Sequence, residues 1–356
     1  MSMASSGRSI PGLSVALGLL IASSPTAAQQ FSGLYAFTGP RNGDGAYPLG
    51  GVVTDSEGAV YGTTQSGGKN GVGTVFKLTP PAAGQTRWTE EIIHSFGSAA
   101  NDGQTPEAGV VMDANGALYG TTAEGGGRGS QYCGMGGCGT VYRLDPPQTG
   151  QTQWSETILH RFGASDGEGA LPAAGVILDA AGNLYGTTQD FGGVFRLTPP
   201  TNPDGAWTFT LLHAFHGGNE DGATPLASVT LDSSGALYGT TYEGGAFNVG
   251  VVFRLVPSSG EDSPWNETIL HSFSGSVSGA NNDGAYPIGG VTFDSTGALY
   301  GTTFNGGLDA GGAVFKLTPN ADRTFWHETL AYSFTGVDGD GAGPSAAVTI
   351  DRHRAI

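Results

Sequence analysis

The 356-residue chain carries 63 glycines and a net charge of −17, from 14 Lys plus Arg against 31 Asp plus Glu. Glycine without a G-x-y period excludes collagen, and 38% hydrophobic with 10% aromatic residues excludes a disordered glycine-rich chain. The charge argues against phosphate backbones and anionic membranes, so no nucleic acid partner is expected, and the glycines must punctuate many short strands and turns.

In chain order, the first predicted element is a signal peptide over residues 1–28. Arg8 precedes an apolar stretch from Leu13 to Ala22, and Thr26-Ala27-Ala28 is a small-x-small cleavage site before Gln29. The stretch is too short to span a bilayer stably, and neither a twin arginine nor a lipoprotein cysteine accompanies it. Its removal, with Arg8, takes the net charge from −17 to −18. A secreted protein, extracellular or periplasmic, with no transmembrane segment in the mature chain is expected.

Residues 31–351 read as one repeat domain. The phrase Leu/Val-Tyr-Gly-Thr-Thr begins at Val60, Leu118, Leu184, Leu237 and Leu299, at spacings of 58, 66, 53 and 62 residues. An Asp-x-x-Gly turn precedes each copy, Asp55 to Gly58 in the first. A glycine-rich loop, a run such as Val75-Phe76-Lys77-Leu78 and a Pro-rich connector follow. Next comes Trp88, Trp154, Trp207, Trp265 or Trp326, and a last run ends in Phe96, Phe162, Phe215, Phe273 or Phe334. The four apolar runs of each unit, strands a to d, lack helical periodicity and are of strand length. Units at about 50–97, 107–163, 173–216, 226–274 and 288–335 are therefore expected as four-stranded blades of an all-β β-propeller. In strand d of the second unit, period two places Trp154, Glu156, Ile158, His160 and Phe162 on one face and Leu159 on the other.

The second unit also holds the two cysteines, Cys133 and Cys138, for which a disulfide is expected, since no further Cys or His stands adjacent for zinc. At the ends, Leu34-Tyr35-Ala36-Phe37 resembles the end of a strand d, and Ala347 to Asp351 a strand a that residues 352–356 do not continue. Residues 345–351 with 31–38 thus form a partial sixth unit. Five complete repeats plus this partial sixth make a truncated six-bladed ring, or alternatively a five-bladed ring with two flanking strands.

The phrases Asp-Gly-x-x-Pro, Asp-x-x-Gly-x-Leu-Tyr-Gly-Thr-Thr and Gly-Gly…Gly-x-Val-Phe-Lys/Arg-Leu resemble those of the bacterial GloVer (Gloeo-Verruco) tandem-repeat exported proteins. The resemblance covers nearly all of residues 31–351. It implies an extracellular or surface protein and brings no particular activity with it. A looser resemblance to propellers of streptogramin-lyase type covers only the a–b hairpin.

Chemistry is expected where the d–a and b–c loops share one face. Six d–a loops carry an acid followed by Gly, two residues and Pro: Asp44, Asp102, Glu168, Asp221, Asp283 and Asp340. Asp caps its own turn, so these are first structural. Their functional alternative is Ca2+ binding, although one acid per loop is thin for an ion that takes six to eight oxygens. The b–c loops vary, and a ligand site on a repeat scaffold belongs in variable loops. There Glu124, Asp190 and Glu243 occupy equivalent positions, with Phe191, Tyr242, Phe247 and Phe304 available to stack on sugar rings. His94, His160, His213 and His271 recur in strand d, with Tyr332 in the fifth copy, as structural hydrogen-bonders.

No nucleophile elbow, zinc-protease helix or phosphate loop is present. The function expected is a non-catalytic, monomeric binding or display module for a glycan or protein, requiring no cofactor. A metal-assisted hydrolase or lyase using the acidic loops is the alternative.

Overall fold

The structure is a computed structural model that describes residues 32–127, 133, 136–163, 167–202, 205–258, 265–275, 282–337 and 339–351. The signal peptide and residues 352–356 lie outside the described residues. Residues Met1–Leu34 form one unit and Tyr35–Ile356 another, and all that follows concerns the second.

Five antiparallel four-stranded sheets follow one another along the chain, each in the order a-b-c-d. In blade 2 the strands are Val111–Met112, Leu118–Thr122, Thr140–Asp145 and Ser155–Arg161. Pro40–Asn42 form a three-residue 3-10 turn. The five sheets are the β-propeller expected from the repeat.

Strand b is buried along its whole length in four of the five blades. The a–b turn sets its start. Asp113 Oδ1 accepts from the backbone of Asn115 and Ala117, and Oδ2 accepts from Tyr119 Oη at 3.2 Å. Strand c then places a large ring against strand b's glycine. A Cβ on Gly239 would lie 2.6 Å from Phe253 Cζ, which is why the Tyr-Gly-Thr-Thr glycine cannot be replaced.

The core lies between blades, not within them. One buried cluster joins Tyr61, Val75 and Phe96 of blade 1 to Leu118, Tyr142 and Leu144 of blade 2, and clusters of the same kind join each later pair. Every strand d contributes in two directions. Trp154 of blade 2 stacks edge-on against Tyr61 of blade 1, whereas Phe162 packs on Phe195 of blade 3 at 5.3 Å.

That split corrects the period-two expectation for strand d. Opposite Val141 and Tyr142 the register shifts, so Val141 pairs with His160, Tyr142 pairs with Ile158, and Leu159 is the extra residue of a β-bulge. One inserted residue reverses the faces that follow it. Trp154 and Ile158 therefore face the preceding blade, while Leu159 and Phe162 face the next. The same shift recurs in strand d of all five blades.

Residues Tyr35 and Phe37 are not a strand, but they carry strand d's contacts. Phe37 packs on Phe76 at 5.0 Å, as Phe215 packs on Phe253. At the other end, Thr302 Oγ1 of blade 5 donates to Ala346 O at 2.9 Å, just as Thr63 Oγ1 of blade 1 donates to Ala108 O at the start of blade 2. Six inner segments, 49–52, 107–110, 173–177, 226–230, 288–292 and 345–347, line one channel of about 560 Å³. Glu107 is the one titratable residue on that lining.

Candidate functional site

The d–a and b–c loops of each blade are tied together by a short second ladder. Gly103 pairs with Gly125 and Gln104 with Glu124 in blade 2; Gly222 pairs with Gly244 and Ala223 with Glu243 in blade 4. Blades 3 and 5 use single bridges, Ala170 with Asp190 and Ala285 with Asn305. Glu124, Asp190 and Glu243 thus occupy one repeated place, on successive blades. Glu124 and Glu243 are exposed and Asp190 is half-buried. Among the described residues, two sets of three His, Cys or carboxylate groups lie within 4.8 Å of one another, and neither includes these three acids.

Beside this ladder stands a residue that the sequence reading passed over. Tyr47, Thr105, Leu171, Thr224 and Tyr286, each just before a proline, have φ between 54° and 58°, and Gly343 before Pro344 has 61°. A left-handed conformation is strained for such side chains, so the fold must over-determine it. The backbone does so by bonding both ways. Tyr286 N donates to Val249 O of the preceding blade at 2.8 Å, and its carbonyl accepts from Phe304 N at 3.1 Å. The result is a rigid rim whose side chains vary from blade to blade. Tyr47, Phe191, Phe247 and Phe304 are exposed on this face, at 66, 62, 47 and 38%. Tyr242 and Tyr286 pack at a tilt of 32°, with centroids 4.8 Å apart. A shallow pocket of about 270 Å³ opens between Phe304, Asn305 and Gly343.

Of the six d–a acids, Asp44, Asp102 and Asp283 are buried and Asp221 is half-buried. Asp44 accepts from Thr38 N, Thr38 Oγ1, Tyr35 Oη and Gly45 N at 2.6–3.1 Å. Burial alone would raise its carboxyl, but these bonds outweigh it and hold it below the usual carboxylate range. Asp283 is likewise held low against burial, by His271 Nε2 at 2.9 Å and by Ser274. Asp102, Asp221 and Asp340 accept the matching backbone N–H from Ser98, His216 and Thr335. Glu168 sits at the same position, where its charge acts on His160. Through these backbone bonds, Asp44, Asp102, Asp221, Asp283 and Asp340 cap their own turns.

Two of the strand d histidines reach these acids: His271 Nε2 lies 2.9 Å from Asp283 and His213 Nε2 3.5 Å from Asp221. Because the bulge turns each His toward the next blade, His94 and His213 also meet the glutamate of that blade's strand d. His94 Nε2 lies 3.6 Å from Glu156 Oε1, and His213 Nε2 lies 3.7 Å from Glu267 Oε2. Burial, against the opposing charges of Asp102 and Asp221, lowers both histidines. Burial, then the charges of Asp102 and Asp221, pushes Glu156 and Glu267 up to about 8. The only trace of this meeting in the sequence is the recurring Glu-x-Ile-x-His spacing, which period two places on one face of a single strand.

Cys133 and Cys138 are joined as a disulfide, with Cα atoms 5.2 Å apart. The bridge abuts a structural contact, since Leu171 N of the next blade donates to Cys138 O. Among the described residues no helix is long and apolar enough to cross a membrane.

A family model described as a Gloeobacter/Verrucomicrobia repeat matches residues 12–202 and 129–354. No curated protein matches the chain. Among solved structures, an α-L-arabinanase of Cellvibrio cellulosa complexed with arabinohexaose is similar at 11% identity. The match covers 79% of this chain and 93% of that one, with a TM-score of 0.37, and carries no inference about activity.

Proposed function

We propose, since this chain belongs to the Gloeobacter/Verrucomicrobia repeat family, that it is an exported, non-catalytic propeller that binds neutral glycans on the face of its d–a and b–c loops. The observation that carries this is the set of exposed aromatic rings, Tyr47, Phe191, Phe247 and Phe304, in the d–a and b–c loops of this face. Aromatic rings offer flat apolar faces to sugar C–H groups at little entropic cost, and neighbouring Glu124, Asp190 and Glu243 can accept from sugar hydroxyls. The charge of −17 disfavours anionic ligands. In this reading the mature chain begins after Ala28, acts as a monomer outside the cytoplasm, and binds without a cofactor.

The test is a neutral-glycan array followed by calorimetry on the best binder, with product analysis of the same mixtures. Phe304→Ala and Phe191→Ala should each weaken binding by about tenfold, roughly 1.4 kcal/mol. Affinity unchanged in both variants would overturn the assignment of the face. Appearance of cleaved sugar would overturn the non-catalytic reading in favour of a hydrolase or lyase.

A further inference from the structure

We propose that His94, Asp102 and Glu156 form a Zn2+ site that bridges blades 1 and 2, and that His213, Asp221 and Glu267 form a second one between blades 3 and 4. In each set one ligand atom from each residue lies within 4.8 Å of the other two. The separations His94 Nε2 to Glu156 Oε1, His213 Nε2 to Asp221 Oδ1 and His213 Nε2 to Glu267 Oε2 are 3.6, 3.5 and 3.7 Å. These are long for hydrogen bonds but close to the edge of a tetrahedron around zinc, roughly 3.3 Å for ligands at about 2.0–2.1 Å.

The buried polar atoms point the same way. Asp102 is only 4% exposed, yet with both carboxyls ionised its Oδ1 and Glu156 Oε1 have no donor, and His94 Nε2 has no partner either. Glu267 Oε1 is also buried and without one. Orphaned acceptors buried beside one another are costly unless something satisfies them. Once metal binding displaces the glutamate's proton to solvent, the two carboxylates carry two negative charges, which a divalent cation neutralises. The nitrogen donor favours zinc over Ca2+ or Mg2+. Beside the first set a cavity of about 330 Å³, walled by Asn101, Asp102, Glu156 and Arg161, offers entry and room for a water as fourth ligand. Arg161 is the one cation on that wall, and its Nε is engaged by Asn101 O at 3.3 Å.

The other interfaces show what the same place looks like without an ion. Between blades 2 and 3, Phe209 stands where glutamate would and stacks on His160 at 4.5 Å. Between blades 4 and 5, His271 closes directly onto Asp283 at 2.9 Å. At the first interface Tyr35 replaces histidine and bonds Asp44 through its hydroxyl. The two proposed sets alone keep all three groups at coordinating spacing among the described residues.

The test is zinc calorimetry on the chelator-treated full chain, paired with thermal melts and Co2+ absorption spectra. The wild type should bind two Zn2+, melt about 5 °C higher with saturating Zn2+, and give visible Co2+ bands of tetrahedral intensity. His94→Tyr and His213→Tyr use the residue the repeat itself places at Tyr35 and Tyr332, so both should fold. Each should lose one ion, and the double variant both. Glu156→Gln and Glu267→Gln, nearly isosteric, should weaken the same ions at least tenfold. His160→Tyr should change nothing. Stoichiometry unmoved by the tyrosine variants, or an equal shift with Ca2+, would overturn the proposal. So would failure of the wild type to bind zinc, which would mean that each carboxyl pair holds a shared proton instead.

Discussion

Tyr61 Oη donates to Asp55 Oδ2 at 3.0 Å, so the turn that opens strand b also clamps the tyrosine at its second position. The bond recurs between Tyr185 and Asp179 at 3.1 Å and between Tyr238 and Asp232 at 3.0 Å. Each tyrosine ring also carries the edge of the next blade's tryptophan or its neighbour, as Tyr238 carries Trp326. One side-chain bond therefore links turn geometry to packing between blades.

Removing the hydroxyl should cost less than removing the carboxylate. Tyr238→Phe loses one bond and should destabilise by about 1 kcal/mol. Asp232→Ala also strips acceptors from Ser234 N and Ala236 N, and should cost about 2–3 kcal/mol. Urea denaturation of both variants measures the order, and equal losses would show that the turn bonds contribute nothing.

Close backbone approach at the channel makes Gly109 one of the most sensitive glycines. A Cβ there would lie 2.1 Å from Gly51 O of the preceding blade, which is backbone and cannot swing aside. Gly109→Ala should cost about 3 kcal/mol. Gly84→Ala, where nothing lies within 4 Å, is the control, although its φ of 82° brings a smaller strain of its own. The two midpoints in guanidinium should differ clearly.

Stability should fall as the solution turns from mildly acidic to neutral. Burial, mainly, pushes Glu90 and Glu328 up to about 7 in the folded chain, so the native state holds protons that the unfolded state releases near pH 4.5. Their contribution is whole below the unfolded value and is lost as pH rises through about 7. Asp44 and Asp283 act in the opposite sense, because their lowered carboxyls lose stabilising bonds as pH falls below about 4. Melting temperature should therefore peak near pH 4–5, and Glu328→Gln should flatten the limb above it. A melting temperature that climbs steadily from pH 5 to 8 in both proteins would refute this.

The disulfide closes a separation of five residues, for which chain entropy gives about 2 kcal/mol. Cys133→Ser with Cys138→Ser should lower stability by that order, and the same loss should follow reduction of the wild type. Matched melts with and without reductant test it, since reductant should leave the double variant unmoved.

The repeat was legible because it is written in local terms. Asp-x-x-Gly, Tyr-Gly-Thr-Thr and the strand c run each state a turn or a strand within a few residues, and a blade's worth of them cannot bury its faces alone. The propeller, the equivalence of the d–a acids, and Phe37 standing in for a strand d end all followed from that. The aromatic residues of the b–c loops could be named as well, since variable positions on a constant frame stand out.

What tertiary structure decided is which groups meet. Glu156 and His160 look like companions on one strand, but the bulge at Leu159 sends them to opposite interfaces, Glu156 toward His94 and His160 toward Phe209. A bulge leaves no mark in composition or period, because its extra residue is an ordinary leucine in an apolar strand. Likewise Tyr47 and Tyr286 precede prolines in sequences that name no conformation, and only hydrogen bonds to the b–c loops hold them left-handed. The sequence alone determined the repeating unit, since its signals are short-range. The contents of each interface depended on backbone register across blades, which only the assembled ring sets.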